Sequence, residues 1–113
     1  MTYIDKHISR TALKKVAQER FGDMVKGVVD IDQGIMAIGG ELHADEEAFL
    51  MQKGSHQKNL WGINLYPDIS MPEMLEFDSM INIRPSQGNR TRDVEDQAIR
   101  EKIITIITNL VTT

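Results

Sequence analysis

The sequence predicts an α+β fold of two layers, with three helices on about four mostly antiparallel strands in the order α-β-β-α-β-β-α. Three observations predict it. Apolar residues recur at helical spacing near both ends of the chain, runs with two-residue alternation lie between them, and Asp32-Gln33-Gly34 separates two such runs as a hairpin turn would. At 113 residues the chain can bury one core but not two, so residues 1–113 are read as a single domain.

From Thr11 to Phe21, Ala12, Leu13, Val16, Ala17 and Phe21 mark one helical face, with Ser9 or Thr11 available as N-cap and Gly22 just past the end. Met24 to Ile31 and Ile35 to Ile38 are β-branched, apolar runs whose connecting Gly34 can take the left-handed conformation of a tight loop. Gly39-Gly40 breaks the second strand. Asp45 is placed to cap a short helix carrying Ala48, Phe49 and Leu50, which Gly54 would end.

Leu60 to Tyr66 sets Trp61, Ile63 and Leu65 on one face, a core position for the tryptophan. Phe77 to Arg84 sets Phe77, Ser79, Ile81 and Ile83 on one face, so both segments read as strands. Pro67 to Leu75 is a loop between them, with Ile69, Met71, Met74 and Leu75 as a candidate exposed apolar patch. Val94 to Val111 is the longest expected helix, with Ile99, Ile103, Ile106, Ile107 and Leu110 as its stripe and Asp93 as its cap. Helices on one face of the sheet would leave Asn64, Asp78, Asn82 and Arg84 on a polar face opposite, a candidate ligand floor.

Hydrophobic residues at 41% and charged residues at 27% are an ordinary globular mix, which excludes a disordered or fibrous chain. The net charge of −4 argues against binding to a nucleic-acid backbone, whose affinity rests on Lys and Arg. With no cysteine, thiolate metal sites and cysteine nucleophiles are excluded, and a reducing cytoplasm is the expected setting. Asp5, Lys6 and His7 stand where a signal peptide would need an apolar core, and no stretch approaches a membrane span.

Three stretches carry a resemblance: Gly39-Gly40-Glu41-Leu42-His43-Ala44-Asp45, Leu60-Trp61-Gly62-Ile63-Asn64-Leu65-Tyr66-Pro67, and the run from Glu76 to Arg90, EFDSMINIRPSQGNR. The chain from about Met24 to Leu110 resembles a family of short prokaryotic proteins classed as a domain of unknown function, with Asp68 to Leu75 as a variable insert. The resemblance implies a cytoplasmic, prokaryotic setting. It carries over no catalytic residue and no cofactor.

Chemistry must come from the side chains. Arg84, Gln87, Asn89, Arg90 and Arg92 crowd one polar turn before the last helix, and guanidinium forks near helix amides suit an anionic ligand or partner. Structural ion pairing with Asp93, Glu95 and Asp96, or with Glu41, Asp45 or Glu46, explains the same arginines. The second candidate is His43 with Glu41 and Asp45, a set that could transfer protons or hold a hard cation, although acids at a helix start account for the carboxylates without a metal. P-loop and nucleophile-elbow motifs are absent.

The leading expectation is therefore a small cytoplasmic binding or regulatory module that holds an anionic ligand at the arginine loop. A small enzyme built on His43 and a protein-interaction domain are the alternatives. A second copy of the chain is an admissible partner; a membrane is not, and nucleic acid is disfavoured.

Overall fold

Ser9 starts the first helix as the spacing predicts: its hydroxyl accepts the Ala12 N–H at 3.0 Å, and Leu13 and Ala17 turn inward over Arg10–Arg20 (α1). A computed structural model describes all residues, Met1–Thr113. Ahead of α1 lie two strands the sequence reading missed, Thr2–Ile4 (β1) and Ile8–Ser9 (β2), both too short to show a period.

The expected hairpin forms between Val25–Asp30 (β3) and Ile35–Ile38 (β4), with Gly34 at φ +70° in the turn. Asp30 holds that turn closed. One of its oxygens accepts the N–H groups of Asp32 and Gln33, while the other accepts the Ser55 hydroxyl at 2.7 Å and the Gln33 amide. Leu60–Leu65 (β5) pairs along β3 and is buried throughout. Leu75–Glu76 (β6) extends the edge. The sheet runs β1-β4-β3-β5-β6 with every neighbour antiparallel.

Between β4 and β5 lies His43–Gln52 (α2), and the chain closes with Gln97–Leu110 (α3) and Val111–Thr112 (β7). β7 pairs in parallel with β2 in a separate small sheet. The α+β class and the order of the helices among the strands are as the sequence predicts. No helix is long and apolar enough to cross a membrane.

The helices do not share a face. Leu13 and Ala17 of α1 and Ile103, Ile107 and Leu110 of α3 pack on Val25, Val29, Met36, Ile38, Trp61, Ile63 and Leu65, one side of the sheet. Leu50 of α2 packs on Val28, Ile35, Ala37 and Leu60, the other side. A polar face open to water, as expected from the sequence, is thus reduced to the part that α2 leaves uncovered.

Three local expectations change. Helix α2 begins at His43 behind Leu42, which has no capping side chain, so Asp45 lies in the first turn and is not its cap. Helix α3 starts later than Val94 because Asp96, not Asp93, accepts the N–H groups of Ala98 and Ile99. Met74 and Leu75 are buried and Met71 packs on the core, so of the proposed apolar patch only Ile69 is exposed.

The largest correction concerns Phe77 to Arg84, which is not a strand. After β6 the chain turns through a short 3₁₀ helix, Met80–Asn82, capped by the Ser79 hydroxyl. The edge of β5 that a strand would have occupied is satisfied by side chains. Asn82 Oδ1 accepts the Gly62 N–H at 2.8 Å and Asn82 Nδ2 donates to the Gly62 carbonyl at 2.9 Å, as a neighbouring peptide would. Gly62 permits this approach, since a Cβ there would lie 2.5 Å from the Ser79 side chain.

Asn82 is fully buried and also donates to the Arg92 carbonyl at 3.0 Å. Asn82→Ala would strand the buried N–H and C=O of Gly62, and we expect it to lower the unfolding free energy by about 3–5 kcal/mol. Met80→Ala on the same turn, at an exposed side chain, should change it by no more than about 0.5 kcal/mol. Urea denaturation of the two variants tests this; similar losses would contradict the peptide-like role of Asn82.

Candidate functional site

The residues predicted as a ligand-binding turn are mostly consumed by the fold. Arg84 is inserted beside the β5 edge, where its guanidinium donates to the carbonyls of Ile81, Gln57 and Leu60, meets Glu47 at 3.3 Å, and lies 4.8 Å from the centre of the Trp61 ring. Such a guanidinium has no fork left for a ligand. Asn89 is buried too, its amide donating to the carbonyls of Asn82, Thr91 and Asp93 and accepting the Glu95 N–H. Gln87 donates to the Lys58 carbonyl at 3.1 Å.

Glu95 fills the place expected for an anion: its carboxylate accepts the backbone N–H groups of Arg90 and Thr91, which hold it below the usual carboxylate range. Arg90 itself is exposed and makes no side-chain ion pair. Arg92 alone of the predicted set turns toward another site.

That site is a cleft of about 480 Å³ on the α2 side of the sheet, between the start of α2 and the β5–β6 edge. Its floor is a row of cross-strand neighbours: Lys26 of β3 stands opposite Asn64 of β5, and Asn64 opposite Glu76 of β6. His43 closes one wall from the first turn of α2, and Asp78 with Arg92 forms the rim, joined at 2.6 Å.

Asn64 and Glu76 of the floor are held in a defined orientation. Asn64 Nδ2 donates to Glu76 Oε1 at 2.8 Å and to the Asp78 carbonyl at 3.1 Å; both partners can only accept, which fixes the amide. Its Oδ1 is buried and has no hydrogen-bond partner. His43 Nε2 lies 2.8 Å from the Ile63 carbonyl, so in the neutral ring that nitrogen carries the proton and Nδ1 is the acceptor; the Asn64 side chain lies within hydrogen-bonding reach of the ring.

Burial pushes the His43 imidazole below its ordinary pKa, and the Lys26 ammonium pushes the same way, against the hydrogen bonds to Ile63 and Asn64 and the Asp78 charge. Tyr66 donates to Glu76 Oε1 at 3.2 Å, and burial followed by the Glu76 charge raises its phenol. Lys26 takes part in none of the ion pairs; its ammonium lies 5.1 Å from the Phe21 ring centre.

The family model described as a protein of unknown function (DUF5674) matches residues 2–110. The chain belongs to this family. No curated protein and no solved structure matches it.

In this member of the family the His43, Glu41 and Asp45 candidates separate. Glu41 is exposed and paired with Arg20 at 2.8 Å, and Asp45 points to solvent from α2. No three of the His, Asp and Glu side chains gather as metal ligands. His43 and Arg92 do meet in one cleft, whereas Arg84 and Arg90 lie outside it. Asn64 and Asp78 belong to the predicted floor; Lys26, Tyr66 and Glu76 were missed. A lone lysine inside the apolar run from Val25 to Val29 was the available signal for Lys26.

The sequence reading also passed over Glu46, counted there among the acids of a helix start. It shares the inward face of α2 with Leu50 and is fully buried; its Oε2 accepts the Gly40 N–H at 3.0 Å and its Oε1 has no partner. Burial pushes this carboxyl up to about 9. The folded chain therefore holds a proton that the unfolded chain releases near 4.5. Stability from this group is fully present below the unfolded value and is lost as the pH rises toward 9, at about 1.4 kcal/mol per unit.

Glu46→Gln keeps an acceptor for Gly40 without the charge. It should flatten the pH dependence and raise stability at pH 8 by on the order of 2–4 kcal/mol. Urea denaturation between pH 5 and 9 reads both effects, and an unchanged slope would exclude a protonated Glu46.

Proposed function

We propose that the chain is a small cytoplasmic binding module and that its site is the Lys26–His43–Asn64 cleft, which takes an anionic ligand. The observation that carries this reading is Lys26: an ammonium with no carboxylate partner, placed in a concave site. Two further features support it. Arg92 engages Asp78 through Nε alone, which leaves its terminal nitrogens to reach an anion. Leu42 and Met80, both exposed at the rim, supply apolar surface against which a ligand body can pack. The reading keeps the anionic ligand and Arg92 from the sequence analysis but moves the site off the arginine loop.

Titrating inorganic phosphate, nucleotides and small carboxylates into the isotope-labelled chain tests it. Saturable amide shifts are expected at Lys26, His43, Asn64 and Arg92, and Lys26→Met should weaken the tightest of these ligands at least tenfold. Shifts confined to Arg84 through Arg90, or no shift with any anion, would overturn the assignment.

A second reading, an enzyme using His43 as a general base, is favoured by Nδ1 being the acceptor nitrogen and by burial that keeps the ring neutral near pH 7. It no longer involves Glu41 or Asp45. Its partners in the cleft would be Asp78 and Tyr66.

A further inference from the structure

The floor of the cleft has a direction. Across the sheet it reads cation, amide, anion: Lys26, then Asn64, then Glu76, on neighbouring strands in register. Strand spacing of about 4.8 Å sets the backbones of the two charged residues about 10 Å apart, a gap that the long lysine side chain shortens. Arg92 and Asp78 add a second pair of opposite charges, so with a neutral imidazole the formal charges of the lining cancel.

Apart from the Lys26 ammonium, the unpaired polar atoms in the floor are acceptors. Asn64 Oδ1 is buried, unpartnered and fixed in orientation, and His43 Nδ1 beside it can only accept while Nε2 donates to Ile63. Glu76 Oε2 and Asp78 Oδ2 are further acceptors without a bond. Leaving a buried carbonyl oxygen without a donor costs about 1–3 kcal/mol, so the floor is built to receive N–H or O–H groups. A ligand that was only an anion would satisfy Lys26 but bring no donor to the buried Asn64 Oδ1 and set a like charge beside Glu76 and Asp78.

We infer that the ligand is a zwitterionic amino carboxylate, its carboxylate directed to Lys26 and Arg92 and its ammonium to Asn64 Oδ1, His43 Nδ1 and the Glu76 carboxylate. This rests on the cleft being the binding site, as proposed above. An ammonium has three donors and a positive charge, which matches two neutral acceptors beside an anion; a hydroxyl has one donor and no charge to meet Glu76.

The test is a titration of the labelled chain with the twenty amino acids and 4-aminobutanoate, followed for each one that binds by its deaminated and hydroxy counterparts, with inorganic phosphate as the plain anion. The expected result is that at least one amino carboxylate binds ten times or more tightly than its deaminated and hydroxy analogues. Glu76→Gln should then weaken the amino compound at least tenfold and leave phosphate unchanged or tighter, whereas Lys26→Met should weaken both.

The His43 ring supplies an independent readout. The charged groups around it are Lys26 from β3, Glu76 from β6, and Asp78 and Arg92 from the loop beyond. An ammonium donating to Nδ1 opposes protonation, so the bound amino compound should move the His43 titration to lower pH, while phosphate near the ring should move it higher. Deaminated or hydroxy compounds binding as tightly as the amino compound, or an upward His43 shift with the amino compound, would overturn the zwitterion inference and leave the anion site standing. Absence of binding by every compound, the nucleotides of the first titration included, would overturn both.

Discussion

One side-chain amide organises the half of the molecule that carries the cleft. Asn82 meets the N–H and the C=O of Gly62 as a paired strand would, and Arg84 continues the same edge through the Leu60 carbonyl. Because the edge of β5 is closed in this way, no further strand is needed beyond β6. The chain from Phe77 to Asp96 is free to fold back on itself, and Asn89 then secures that return by three hydrogen bonds from a single Nδ2. Removing the first contact would expose polar backbone in a place where water has no access.

The position of the cleft follows from the same arrangement. Ser79 sits against Gly62, which brings Asp78 beside Asn64, and Asn82 holds the Arg92 carbonyl, which brings Arg92 to Asp78. On the other side, Glu46 draws the first turn of α2 to Gly40, and His43, at the start of the same turn, reaches Ile63. The half of the sheet face beneath Leu50 is packed with apolar side chains. The half beyond it, where Lys26 and Asn64 lie, is lined by polar side chains with Leu42 and Met80 at the rim and is where polar chemistry can collect.

Where the sequence has a sustained period and local caps, it is legible: Ser9, the Leu13-Val16-Ala17 part of the α1 stripe, the Gly34 hairpin and the Trp61-Ile63-Leu65 alternation appear as written, while Ala12 and Phe21 of the expected stripe are exposed. The segment from Phe77 to Arg84 shows the limit of that logic. Its alternation is real, but the apolar side chains go to different places: Phe77 packs on one core, Ile81 on the other, and Ile83 is exposed. Propensity could not weigh a side-chain amide against a strand, since that contest is decided by Gly62, twenty residues away. The arginine loop misled for a related reason. Arginines close in sequence suggest a shared target, yet their guanidiniums diverge, Arg84 to backbone carbonyls and Arg92 to Asp78.

Glu46 has a bearing on how the family's sequences should vary. A carboxyl that stays protonated in the fold serves as a neutral hydrogen-bonding group, so glutamine meets the same local requirement with respect to Gly40, while lysine or arginine at this position would bring a charge with no acid to receive it. Lys26 stands on the same sheet face within the field of both Glu46 and His43. A change of charge at any one of the three therefore alters the conditions for the other two, and substitutions at these positions should occur together in related chains more often than singly.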